Sequence, residues 1–185
     1  MRKPRTSSVR KPLASLGIRK EAARILKEHK IKKTPVPVEV IAAALGARVR
    51  YSPFDGDGEL AGMLVRGKGQ IIIGVNSLHH PNRQRFTIAH ECGHLLFHKG
   101  DVHIDRSFRI NKRDSLSSQA VDPDEIEANR FAAELLIPYD LIKADLLKHN
   151  IDMENEEEIK HLARKYEVSV QAMTFRITNL LDDLI

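Results

Sequence analysis

RFTIAHECGHLLFH, residues 85–98, decides how this chain is read. It holds three of the nine histidines and the only cysteine. His90 and His94 are four residues apart, so on an α-helix they share a face and both imidazoles can turn to one ion. Glu91 stands about 100° further round the helix. That is too far for a natural third ligand and close enough to touch a water on the ion. Pro81-Asn82, just upstream, supplies a helix start. The competing reading of this HExxH motif is a polar stripe on a half-buried helix, so a third ligand is needed to decide.

The helix expected over residues 125–137 offers one. At about 100° per residue, Ile126, Ala128, Phe131, Ala132, Ala133, Leu135 and Leu136 spread over a broad apolar face. Glu127, Arg130 and Glu134 fall opposite, which predicts a solvated surface. Glu125 and Asn129 lie within the apolar face, side by side. A buried carboxylate without a partner is costly, so Glu125 is expected to meet a cation. Asn129 would then orient a ligand by hydrogen bond. The alternative for Glu125 is plain stabilisation of the helix N-terminus, with Glu127 as the fallback ligand. Two histidines, a glutamate and an open position form the pattern of catalytic zinc sites. Ligand type alone also admits Mn2+ or Fe2+. Glu91 would be the general base, Gly93 would let backbone approach closely, and Cys92 points to the core as a small apolar filler.

Outward from these two helices, residues 18–30 read as an amphipathic helix with Ile18, Ala22, Ile25 and Leu26 on one face. A short helix ending at Gly46 and a strand through Val49 and Tyr51 follow. Residues 60–76 read as a hairpin across Gly67-Lys68-Gly69. Residues 99–122 show no period and read as a mobile loop. Three further helices are expected over 139–148, 155–165 and 169–181. His98 and His103 are candidates for oxyanion stabilisation, with a surface or loop role as the alternative. His79, His80, His149 and His161 read as helix-end or surface residues.

With these residues in view, the chain resembles the ImmA/IrrE family of zinc metallopeptidases. The matching segments are VNSLHHPNRQRFTIAHECGHLLFH, the loop NKRDSLSS, and EIEANRFAAELLIP, in that order over residues 75–138. The resemblance implies an α+β, zincin-like, gluzincin-type peptidase domain with a small antiparallel sheet and an HExxH helix. It also implies metal ligands His90, His94 and Glu125, with Glu91 as general base. The implied substrate is a protein cut at one site, a helix-turn-helix repressor of a mobile element, prophage or stress response. Cys92 stands where the family usually carries an aliphatic residue.

Composition bounds the rest. The 185 residues are 42% hydrophobic, enough for a real core, and one cysteine excludes an internal disulfide framework. No apolar run is long enough to span a bilayer, the N-terminus lacks a signal-peptide core, and the expected setting is cytoplasmic with no membrane partner. The net charge of +5 equals the sum of Arg2, Lys3, Arg5, Arg10 and Lys11. Residues 1–17 therefore read as a basic disordered arm, 18–138 as the peptidase domain and 139–185 as a helical, helix-turn-helix-like subdomain. In that subdomain Ser169 caps the second helix and Arg176 is its single cationic base-reading candidate. Nucleic acid is thus possible but not favoured. Two rival readings remain: a DNA-binding or repressor-binding regulator with a non-catalytic metal, and an interaction module that displaces a repressor without cutting it.

Overall fold

The computed structural model describes residues 15–54, 60–67, 69–106, 122–149 and 155–182. The element order is α1 (Ser15–Glu28), α2 (Val38–Ala44), β1 (Ala47–Ser52), β2 (Leu60–Gly67), β3 (Gln70–Asn76), α3 (Pro81–Phe97), β4 (Val102–Arg106), α4 (Pro123–Leu136), α5 (Tyr139–His149), α6 (Glu156–Tyr166) and α7 (Val170–Asp182). The class is α+β. The proposed arm falls almost wholly on residues 1–14, outside the described residues, and α1 already begins at Ser15.

The four strands form one sheet in the order β1-β3-β2-β4. β2 pairs antiparallel with both β3 and β4, as a wholly antiparallel sheet requires, but β1 runs parallel to β3. The sheet is therefore mixed, which corrects that part of the expectation. The cause is connectivity: the β2–β3 hairpin reverses the chain, and β3 then inserts between β1 and β2. First and third strands of an up-down-up path point the same way, so pairing them is parallel.

β4 also corrects the reading of residues 99–122 as structureless. Val102 and Ile104 are exposed, at 58% and 50%, while His103 turns inward. Such a strand wears its apolar residues outside, the reverse of the pattern by which half-buried strands are recognised. Residues 107–121, the rest of that expected loop, lie outside the described residues.

The core joins α1 (Ile18, Ile25), β2 and β3 (Leu64, Ile73), α3 (Ile88, Ala89, Cys92) and α4 (Phe131, Leu135), all fully or almost fully buried. Two glycines set how closely these layers approach. A Cβ on Gly93 would lie 2.9 Å from the Ala128 Cα, so α3 and α4 touch backbone to backbone there. A Cβ on Gly62 would collide with the Thr87 Cγ2, so β2 sits directly over α3.

The C-terminal helices dock onto this body. Glu167 ends α6 in the left-handed conformation (φ 52°), and the Ser169 Oγ accepts from the Ala172 N–H at the start of α7, as an N-cap should. The Asn82 Nδ2 donates to the Val168 carbonyl at 2.9 Å, and Arg85 pairs with Glu167 at 3.3 Å. Arg176 is not on a DNA-reading surface. It is 7% exposed, pairs with Glu134 through both guanidinium ends, and donates to the Ile137 carbonyl. Glu134 and Glu127 are likewise 8% and 4% exposed, against the solvated surface expected of them. Glu134 meets arginines of α1 and α7, elements distant in the chain, and Glu127 meets His98 at the end of α3.

Candidate metal centre

α3 supplies His90, Glu91 and His94. The helix starts at Pro81 with the His80 Nδ1 accepting from the Asn82 N–H. Its other end is held by Arg66 of β2, whose Nη2 donates to the carbonyls of His94 (2.9 Å) and His98 (3.0 Å). A cation on the last-turn carbonyls fits the helix dipole, and it fixes the turn that carries His94. α4 supplies Glu125 and Asn129, with Asp122 capping its N-terminus. The Gly93–Ala128 contact brings the two helices close enough for these side chains to meet.

The two Nε2 atoms of His90 and His94 lie 3.0 Å apart. The Glu125 carboxylate faces both, with Oε2 3.4 Å from His90 Nε2 and Oε1 3.1 Å from His94 Nε2. Both imidazoles are buried, at 1% and 2% exposure. The Nδ1 atoms point away from the carboxylate and are engaged elsewhere. His90 Nδ1 donates to the Asn129 Oδ1 at 2.9 Å. His94 Nδ1 lies 2.9 Å from His98 Nδ1, and His98 Nε2 lies 3.1 Å from the Glu127 Oε2. Glu127 must accept, so His98 Nε2 carries a proton, His98 Nδ1 accepts, and His94 Nδ1 donates. Both chains of hydrogen bonds engage Nδ1 and turn the Nε2 of each ring towards the Glu125 carboxylate, the orientation that a metal-binding imidazole needs.

A second group, His98, Asp124 and Glu127, also places ligand atoms near one another. An ion on His98 Nε2 would force a proton onto His98 Nδ1, facing the N–H of His94. The two donors would repel across 2.9 Å, so this group acts by holding His94's tautomer. Glu127, the fallback third ligand, is committed to that task.

His103, one of the two candidates for oxyanion stabilisation, stands against the site and not on a surface loop. From β4 its ring stacks on His94, with centroids 3.5 Å apart. Nε2 lies 2.8 Å from the Glu125 Oε1 and Nδ1 3.2 Å from the Glu91 Oε2. Only the strand pairing of β4 with β2 brings it there. For His98 a signal existed: it continues the four-residue spacing of His90 and His94 on α3.

Electrostatics divide the histidines. Burial depresses His94 to about 4, despite the neighbouring Glu125 carboxylate, so it stays neutral. Burial also opposes charge on His103, but hydrogen bonds to Glu125 and Glu91 outweigh it and hold its pKa up at about 10. Burial would raise Glu125, yet His103, His90 and His94 together keep it well below the usual carboxylate range. Cys92 is pushed up to about 12 by burial and by the Glu91 charge, an unreactive thiol packed in the core.

The grouping of His90, His94, His103 and Glu125 can hold a metal ion. Among the described residues no helix is long and apolar enough to cross a membrane. No curated protein matches the sequence. Among solved structures, a Mycobacterium tuberculosis transcriptional regulator shares the fold with a TM-score of 0.54 at 16% identity, over 85% of this chain. This chain spans 45% of the length of that one. The family model Peptidase_M78, described as the IrrE N-terminal-like domain, matches residues 42–178, which include every element of the site. The chain therefore belongs to the IrrE N-terminal-like family of metallopeptidase domains.

Proposed function

We propose that this chain is a zinc-dependent endopeptidase of the cytoplasm that cuts a specific protein, a helix-turn-helix repressor of a mobile element or stress response. The observation that supports this best is the pair of Nε2 atoms 3.0 Å apart, facing one carboxylate, with both Nδ1 atoms engaged elsewhere. Nitrogen and carboxylate donors in that arrangement suit a tetrahedral divalent ion with one open position. His90, His94 and Glu125 would hold it. Such an ion supplies Lewis acidity, lowering the pKa of water to about 7 and polarising a carbonyl.

The chain's own side chains supply the rest. Glu91 takes the proton of the attacking water on its carboxylate and passes it to the departing amine. His103 stands between Glu91 and Glu125 and keeps its proton at neutral pH. It fixes the rotamer of the base and places positive charge beside the centre where an oxyanion develops. Asn129 and the His98–Glu127 pair hold the two imidazoles in the tautomer that exposes Nε2. The rival DNA-reading role of α7 loses its candidate cation, because Arg176 is buried on Glu134.

Glu91→Gln is the test. It should cut cleavage of a cognate protein by about 10²–10⁴-fold while the protein stays folded and its metal content stays as in the parent. Cleavage at the parental rate, or cleavage indifferent to a chelator, would sink the reading. Repressor release that survives the substitution with no peptide bond cut would instead establish the displacing module.

A further inference from the structure

A cavity of about 580 Å3 opens beside the metal centre, bounded by α3, α4 and the start of α7. His90 and Asn129 are among its lining residues. Its walls are Phe86, Ala133, Leu136, Ile137, Ala172 and Phe175. Leu136 and Ile137 are buried, at 2% and 1%, whereas Phe175 is 55% exposed. An aromatic ring left open to water beside a cavity is a large apolar surface still unburied.

We infer that this cavity receives a large apolar side chain, aliphatic or aromatic, of the substrate residue next to the scissile bond. α7 would then be a specificity wall of the peptidase. The inference rests on the endopeptidase reading for the nature of the occupant. Three observations point to it. The cavity adjoins the site, since His90, a proposed ligand, and Asn129, its hydrogen-bond partner, both line it. Among the described residues its lining carries no carboxylate and no lysine, and Arg83 is the one charged side chain there, so these walls offer a lysine or arginine side chain no counterion against desolvation. Its volume lies within the range of about 300–1,000 Å3 in which pockets enclose small ligands, ample for one leucine or phenylalanine side chain.

The placement of α7 is built, not incidental. Asn82 holds the Val168 carbonyl, Arg85 holds Glu167, and Arg176 is buried against Glu134. These ties set Ala172 and Phe175 over the cavity and account for the helix pair without nucleic acid.

Two measurements on the full chain test this. In the first, Glu91→Gln protein with its metal is titrated with N-acetyl-leucine amide, N-acetyl-phenylalanine amide and N-acetyl-lysine amide, and methyl resonances are followed by NMR. The apolar amides should shift Ala133, Leu136, Ile137 and Ala172, and the lysine amide should not. Ala172→Trp, which fills the cavity, should abolish those shifts. Phe175→Ala, a change at an exposed position that leaves the core intact, should weaken them. In the second, peptides varied at the two positions flanking the cut are compared by kcat/KM. Leucine or phenylalanine should exceed glycine by at least about tenfold at one of them, and Ala172→Trp should erase that margin. Cleavage with no side-chain preference at either position, or apolar amides that leave those methyls unmoved, overturns the pocket while the peptidase reading stands. Parental cleavage by Glu91→Gln overturns the peptidase reading, which the NMR titration does not touch.

Discussion

At the scale of the residue, the site is a set of histidines that differ only in their surroundings. Unfolded, His94 and His103 both titrate near 6.5. Folded and metal-free, His94 binds its proton only near pH 4. Between 6.5 and about 4 the unfolded chain binds more protons, so acidification destabilises the fold. His103 keeps its proton to about 10. Its contribution is fully present below 6.5 and is lost as pH rises through about 10. Denaturant melts in chelator should therefore show greatest stability near pH 6.5, falling on both sides, and His103→Gln should flatten the alkaline limb. A stability that climbs steadily from pH 6.5 to 9.5 would contradict a charged His103 between the two glutamates. The fourfold spacing of His90 and His94 was readable directly, because helix geometry alone puts them on one face. His103 could be named only as a candidate: its contacts with Glu91 and Glu125 were not readable, since nothing within a few residues of it points to those partners.

At the scale of the element, the α3–α4 pair brings the imidazoles to the carboxylate. Sequence periodicity put Glu125 and Asn129 together on the inner face of α4, and the structure sets both beside His90. The closeness depends on Gly93, where a methyl would meet the Ala128 Cα at 2.9 Å. Gly93→Ala should cost about 1–3 kcal/mol by overpacking, read by denaturant melts. By pushing α4 outward it should also weaken metal binding, read by competition with a chromogenic chelator. Unchanged affinity with lowered stability would mean that the helices can separate without disturbing the ligands. The same periodicity misjudged Glu127 and Glu134. It gives direction around a helix, but not which directions another element will cover.

At the scale of the whole molecule, one buried ion pair ties α7 to α4. Glu134 meets Arg176 across 42 residues and Arg19 across 115. Glu134→Ala would strand the Arg176 guanidinium in the interior, and breaking one side of such a pair costs about 3–5 kcal/mol. Replacing both partners by apolar residues, as in Glu134→Leu with Arg176→Met, should recover most of that loss, measured as a double-mutant cycle. If the double variant is as unstable as the single one, the pair contributes more than the burial of one charge, and the docking of α7 depends on its geometry.

Taken by itself, the sequence determined what short-range geometry controls: the helices and their caps, the hairpin, the shared face of His90 and His94, and that of Glu125 and Asn129. These follow from backbone hydrogen bonds and side-chain spacing within a turn or two. Only the tertiary structure decided which buried charge meets which partner, that β1 joins β3 in parallel, that β4 delivers His103 between two glutamates, and that Arg176 faces inward. Those outcomes depend on contacts between segments tens of residues apart, where burial is set by whatever element arrives opposite. No local pattern carries that information.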